Sequence, residues 1–149
     1  MRAIVQRVRQ AEVIVEGRPV GRIGYGLLVY AGVADGDTPA DLRYIADKIR
    51  HLRIFADHDG RLNLDVSQAG GEVLVVSNFT LLGDARQGRR PDFTQAAAAE
   101  YAEAMYQQLC TALRAEGLTV STGRFRAMME VQSVNDGPVN ILLDSRRLL

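Results

Sequence analysis

Tryptophan is absent from this 149-residue sequence, cysteine occurs once (Cys110), lysine once (Lys48) and histidine only at His51 and His58. A lone cysteine excludes an internal disulfide. Cys110 falls on the apolar side of a predicted helix, so a buried thiol in a reducing cytosol is expected. No run approaches the roughly 18 apolar residues that a membrane span requires. The opening Met1-Arg2-Ala3-Ile4-Val5-Gln6-Arg7 meets charge again before a signal-peptide core could form, and a cytoplasmic location with no membrane partner is expected. Neither histidine has the partners or spacing of a zinc site. A Ser-His-Asp triad would need one of them beside Ser67, Ser77, Ser121, Ser133 or Ser145. A Gly-rich phosphate loop, a dinucleotide fingerprint and a nucleophile elbow are also missing. An enzyme built from this sequence works largely through backbone groups and positioning.

Excess charge of either sign is lacking too, with 18 basic and 18 acidic residues. Bulk attraction to nucleic acid is therefore not written into the chain; DNA is not an expected partner, and RNA binding must come from local patches. The basic side is almost all arginine, which suits forked phosphate contacts but also follows from genome composition. Hydrophobic residues at 47% and charged residues at 24% describe a globular chain, of a length that suits one domain over residues 1–149.

Runs rich in β-branched residues predict strands at 3–8 and 11–16, a short strand near 20–23, and a buried strand over 26–33. Thr38, Pro39 and Asp41 compose a helix start. Leu42, Ile45, Ala46, Ile49 and Leu52 then recur at helical spacing. A strand over 72–76 follows. A second helix is predicted from about 93 to 116, capped by Asp92 or Thr94 and stopped at Gly117. Its stripe of Ala98, Tyr101, Ala102, Met105, Leu109, Ala112 and Leu113 needs no ligand to explain it. Strands at 118–122, 127–134 and 139–143 complete the list, the last two parted by a tight turn at 135–138. The fold class is α+β (α/β under looser schemes): a mixed, largely antiparallel, barrel-like sheet with two main flanking helices.

Two segments ask for explanation. Ser77-Asn78-Phe79-Thr80 follows the strand directly, and a strand ending in small polar residues exposes N–H groups and hydroxyls able to hold an oxyanion; an ordinary strand end with Ser and Thr turning on their own backbone has the same look. Asn135-Asp136-Gly137-Pro138-Val139-Asn140 allows close approach to main chain at glycine and a Gly-Pro bond that is cis at small cost, and it also fits a simple hairpin turn. Between them, Arg86, Arg89 and Arg90 fall within five residues, suited either to phosphates or to a solvated loop.

Taken in order, these pieces resemble the D-aminoacyl-tRNA deacylase family. Its Ser-Gln-Phe-Thr signature is matched by Ser77-Asn78-Phe79-Thr80, and its Asn-x-Gly-Pro-Val signature by Asn135-Asp136-Gly137-Pro138-Val139. Ile4-Val5-Gln6-Arg7-Val8, Gly24-Tyr25-Gly26, Arg53-Ile54-Phe55, Gln68-Ala69-Gly70-Gly71, Arg90-Pro91 and Thr122-Gly123-Arg124-Phe125 extend the likeness over nearly the whole chain. Two departures stand out: Asn78 replaces the usual glutamine, and Asn140 the threonine that commonly follows Gly-Pro-Val.

The resemblance implies a homodimer that hydrolyses the ester of D-aminoacyl-tRNA, and of glycyl-tRNA mischarged on tRNA(Ala), without metal or organic cofactor. It implies that Gly137 and Pro138, joined cis, reach into the partner's pocket and exclude L-amino acids by occupying the place of their side chains. Ser77, Asn78, Phe79 and Thr80 would form the catalytic corner, with N–H groups around Phe79 and Thr80 facing the oxyanion and Thr80 positioning substrate or attacking it. Phe79 would shape the adenosine pocket, Arg7 would brace the Gly-Pro turn, and a ribose hydroxyl would orient the water. Two other readings remain at this point: a small-ester hydrolase using Ser77 or Thr80, and a non-catalytic dimeric module that binds RNA or another ligand.

Overall fold

The computed structural model describes residues 1–148; Leu149, the last residue of the expected domain, lies outside them. Strands β1 (Arg2–Val15), β2 (Arg18–Ile23) and β3 (Gly26–Gly32) lead into helix α1 (Pro39–His51). A small hairpin, β4 (Phe55–Ala56) with β5 (Leu62–Leu64), precedes β6 (Glu72–Ser77) and a 3-10 turn at Phe79–Leu82. Helix α2 (Ala99–Ala115), β7 (Val120–Thr122) and β8 (Glu130–Asp144) follow.

The main sheet runs β2-β1-β3-β6-β7, with β8 along the other edge of β1. Pairs involving β1 are antiparallel, while β6 lies parallel to both β3 and β7. The sheet curls until β7 meets β2. There the Ser121 hydroxyl donates to Arg22 O at 3.1 Å, and a Cβ on Gly21 would sit 2.2 Å from Thr122 O. Only a residue without a side chain permits that seam, so the barrel is nearly closed.

Two cores result. Ala3, Val5, Leu27, Val29, Val73 and Val75 face the helices and pack on Ile45, Ile49, Met105, Leu109 and Leu113. Val8, Ala11, Val13, Val15, Leu28 and Leu74 fill the concave side. Burying each valine, leucine, isoleucine or methionine among them contributes roughly 1.5–3 kcal/mol. Cys110 is buried as expected, and burial pushes its thiol up to about 11. Tyr101 departs from the expected stripe: it is 44% exposed and donates its hydroxyl to Asp37 O at 2.6 Å.

Five boundaries differ from expectation. The strands expected at 3–8 and 11–16 are one strand, Arg2–Val15; a bulge at Arg9 between the Val8 and Gln10 pairings absorbs one residue and breaks the alternation that sequence displays. Residues 135–138 do not reverse the chain, because both flanks pair with β1. Val8 opposes Asn135 and Gln6 opposes Asn140, so residues 136–139 arch outward from a continuous β8. Helix α2 starts at Ala99, not near 93. Asp92 bonds locally to the Thr94 N–H and hydroxyl, while residues 95–97 pair with the segment just after β3 through Asp35 N–H to Gln95 O and Ala97 N–H to Val33 O. Finally, β7 begins at Val120 and β8 at Glu130, later than expected. The helix starts and stops agree elsewhere: the Asp41 carboxylate accepts from the Thr38 N–H at 2.8 Å, and Gly117, at φ +84°, ends α2 with Leu118 N–H bonded to Leu113 O.

Candidate active site

Strand β6 is buried over Val73–Val76 because it has a neighbour on each edge and a core on each face. The Asn78 N–H continues its ladder by donating to Ala31 O at 2.8 Å, and the chain then tightens into the 3-10 turn. Gly32 makes room for this corner: a Cβ there would lie 2.8 Å from Asn78 O and 2.5 Å from the Leu82 side chain. Asn78 caps the turn, its Oδ1 accepting from the Thr80 N–H at 3.1 Å and from the Thr80 hydroxyl. The Phe79 N–H, at the first turn position, has no acceptor among the described residues. Of the two N–H groups expected to face an oxyanion, one is therefore open and one is engaged by Asn78.

A cavity of about 840 Å³ opens beside this corner. Ser77, Asn78, Phe79 and Thr80 line one wall, Tyr30 and Val33 the floor, Ala97 and Ala102 a second wall, and Phe125 to Met129 the rim. Phe79 is 57% exposed, with its ring edge-on to Phe93 at 5.1 Å between centroids. Burial pushes the Tyr30 phenol above its ordinary value, so it stays protonated near neutral pH. Among the described residues, no histidine and no carboxylate lines the cavity. His51 Nδ1 faces Asp47 and His58 lies beside Asp59 in an exposed turn. The only trio of possible metal donors among the described residues is Asp57, His58 and Asp59. Asp57 Oδ1 there accepts from the N–H groups of Asp59 and Arg61, which accounts for the turn without an ion.

The second signature lies elsewhere on the protomer. Gly137 and Pro138 are joined cis, exposed at the top of the β8 arch, and absent from the cavity lining. Arg7 holds the arch from below: its Nε lies 3.1 Å from Asp136 Oδ2, and its Nη1 donates to Ile54 O at 2.7 Å. The Asn135 amide closes the neck by donating to Arg7 O and Val139 O. Asn140 pairs with Gln6 and is exposed. Within one chain, then, Ser77 to Thr80 form one cluster, and Arg7, Gly137 and Pro138 another.

Of the arginine loop, Arg86 folds back onto Asp84 at 2.6 Å; its hydrogen bonds hold the Asp84 carboxyl down at about 2. Arg89 and Arg90 are exposed. Sequence reasoning missed Tyr30, Arg126, Met128 and Met129 as cavity residues. Tyr30 looked like one more position in a buried strand, and the rim carries no periodicity; only its nearness to the Thr122-Gly123-Arg124-Phe125 likeness pointed there.

Comparisons with known proteins agree over the full length. The family model described as D-Tyr-tRNA(Tyr) deacylase matches residues 4–144. The D-aminoacyl-tRNA deacylase of Anaeromyxobacter dehalogenans (strain 2CP-C) is 60% identical over 148 residues, 99% of each chain. That of Thermotoga petrophila (strain ATCC BAA-488 / DSM 13995 / JCM 10881 / RKU-1) is 56% identical over 148 residues, again 99% of each. A solved structure named c-Myc DNA Unwinding Element Binding Protein superimposes with a TM-score of 0.91 at 38% identity, covering 97% of this chain and 98% of that one. A second, described as a probable eukaryotic D-amino acid tRNA deacylase, shares the fold at a TM-score of 0.79 and 21% identity, covering 95% and 97%.

Near-closed barrel, flanking helices and full-length kinship together define an ester hydrolase that acts on aminoacyl-tRNA. The chain belongs to the D-Tyr-tRNA(Tyr) deacylase family. Its activity is D-aminoacyl-tRNA deacylation, with tRNA in the substrate.

Proposed function

We propose that the ester is cleaved at the β6 corner, with selection for D-amino acids supplied by the Gly137-Pro138 arch of a second protomer in a cytoplasmic homodimer. The observation that carries the reading is the separation of the two signatures: one chain holds a cavity with an open Phe79 N–H, and an exposed arch braced by Arg7 that does not reach it. A homodimer brings the arch of each copy to the cavity of the other. The long β8 edge, with no strand on its outer side and with Val134 and Leu142 exposed, supports such an association.

In this reading the Phe79 N–H stabilises the tetrahedral oxyanion. The Thr80 hydroxyl positions the substrate, and Ser77 lies at the wall beside it. The phenyl ring of Phe79 packs against the terminal adenosine. Because no side-chain base lines the cavity, a ribose hydroxyl of the substrate orients the water. Main chain at Gly137 and Pro138 fills the space an L-side chain requires, so a D-residue and glycine, including glycine mischarged on tRNA(Ala), are accepted by exclusion.

Complementation between two damaged chains tests this. Phe79→Pro deletes the N–H at a turn position that tolerates proline, and Gly137→Val blocks the arch. Each homodimer is expected to be inactive. Mixed dimers regain one working site, because one cavity then receives an intact corner and an intact arch from different chains. If mixing restores nothing while mixed dimers form, the arch serves its own chain and the reading fails. Thr80→Ala should lower turnover only modestly; complete loss with folding intact would favour covalent attack by Thr80.

A further inference from the structure

Arg126 sits on the cavity rim beside Met128, which is 92% exposed. Its φ is +60°, in the left-handed region that is unfavourable for any residue with a Cβ. The turn is set by the Ala127 N–H bonding back to Arg124 O at 3.2 Å. Arg7, Arg22, Arg86 and Arg146 each pair with a carboxylate. Arg126 pairs with none among the described residues, although the net charge is zero and acids equal bases in number. A strained backbone thus holds an unpaired guanidinium at the mouth of an otherwise mostly apolar cavity, and such a site fits an anion entering with an apolar or aromatic body.

We infer that Arg126 binds the phosphate on the 5′ side of the terminal nucleoside of the substrate, so that the cavity recognises a nucleotide ester in preference to a nucleoside ester. The inference rests on the cavity reading above and adds a charge contact to it. In tRNA that phosphate is always present, and the contact registers the acceptor end against the Phe79 corner. The Arg89 and Arg90 loop would then meet more distant phosphates.

The test compares two minimal substrates, 3′-O-(D-aminoacyl)adenosine and the same ester carrying a 5′-phosphate. A charge-assisted bond at the rim gives the phosphorylated ester an advantage of about tenfold in kcat/KM in the unmodified protein. In Arg126→Gly and Arg126→Gln that ratio is expected to fall to about one. Glycine suits the positive φ, so the first variant retains the turn; damage to the fold would lower both esters alike and leave the ratio standing. A ratio near ten in both variants overturns the inference, as does a ratio near one in the unmodified protein. Phe79→Pro separates this from failure of the cavity reading: it should depress both esters equally, and unimpaired hydrolysis of both would remove the corner, not Arg126, from the mechanism. On tRNA itself, the salt dependence of KM for Arg126→Gln should be shallower by about one phosphate's worth.

Discussion

Replacing Asn78 with glutamine tests whether the engaged Thr80 N–H limits the reaction. The asparagine carbonyl reaches two groups of Thr80 because its arm is short; an extra methylene carries the amide past that ring. Losing the cap costs about 1 kcal/mol, which lowers Tm by roughly 2–4 °C in a domain of this size. Once released, the Thr80 N–H stands beside that of Phe79. A fully aligned oxyanion donor is worth about 2.7–4 kcal/mol in the barrier. The uncapped turn aligns it only in part, so the expected gain is about tenfold in kcat, or 1.4 kcal/mol. Single-turnover deacylation of D-aminoacyl-tRNA with enzyme in excess reads this directly, alongside a thermal melt. Asn78→Ala is the companion, since it removes the cap without adding a longer amide. If kcat falls in both variants while each melts within a few degrees of the parent, Asn78 holds Thr80 in its working position and the reasoning about a blocked donor is wrong.

Three other outcomes follow from the geometry. Gly137→Ala places a Cβ 2.9 Å from Val139 Cγ2 and 3.1 Å from Arg7 Nη2 at φ +123°; deacylation assays should show the ratio of D- to L-aminoacyl-tRNA cleavage falling sharply, and an unchanged ratio would remove the arch as the chiral filter. Asp37→Ala strips the counter-charge from the buried Met1 ammonium, 2.7 Å away with both side chains at 0% exposure. Breaking this buried pair costs about 3–5 kcal/mol, or roughly 10 °C in Tm, and a melt within 2 °C of the parent would refute it. Burial alone would raise the Asp41 carboxyl. Hydrogen bonds from the Ser145 hydroxyl and from the Thr38 N–H and hydroxyl, with the Met1 ammonium, outweigh burial and bring it from 3.8 to about 2. A folded-state value below the unfolded one stabilises above about pH 4, and that stability is lost as pH falls through 2. Urea titrations between pH 5 and 2 should show Asp41→Asn with a flatter acid limb than the parent.

Much of this architecture can be read from residues alone because local signals and tertiary demands agree. Thr38-Pro39 with Asp41 starts α1, and Gly117 stops α2, since both devices satisfy helix ends wherever they occur. The early start expected for α2 fails because residues 95–97 find partners on the segment just after β3, which no local signal reports. The turn expected at 135–138 fails for a like reason: proline and glycine mark an interruption, but only β1 decides that the strand resumes in the same direction. The two signature segments were visible as chemistry-bearing stretches, and their resemblance to a known family joined them. What sequence could not supply was the engagement of the Thr80 N–H by Asn78, or the place of Tyr30 and Arg126 around the cavity. Those are matters of side-chain reach across elements far apart in the chain.

The seam between β2 and β7 carries a last consequence. A single hydroxyl bond and the bare Gly21 hold it, whereas β3 and β6 are joined by a full ladder. Hydrogen exchange is therefore expected to show the barrel opening first at this joint. The Gly123 to Met129 lip follows β7 directly, whereas the Asn78 N–H ties the Ser77 to Thr80 corner to Ala31 O, so amide exchange is expected to be faster in the lip than at the corner.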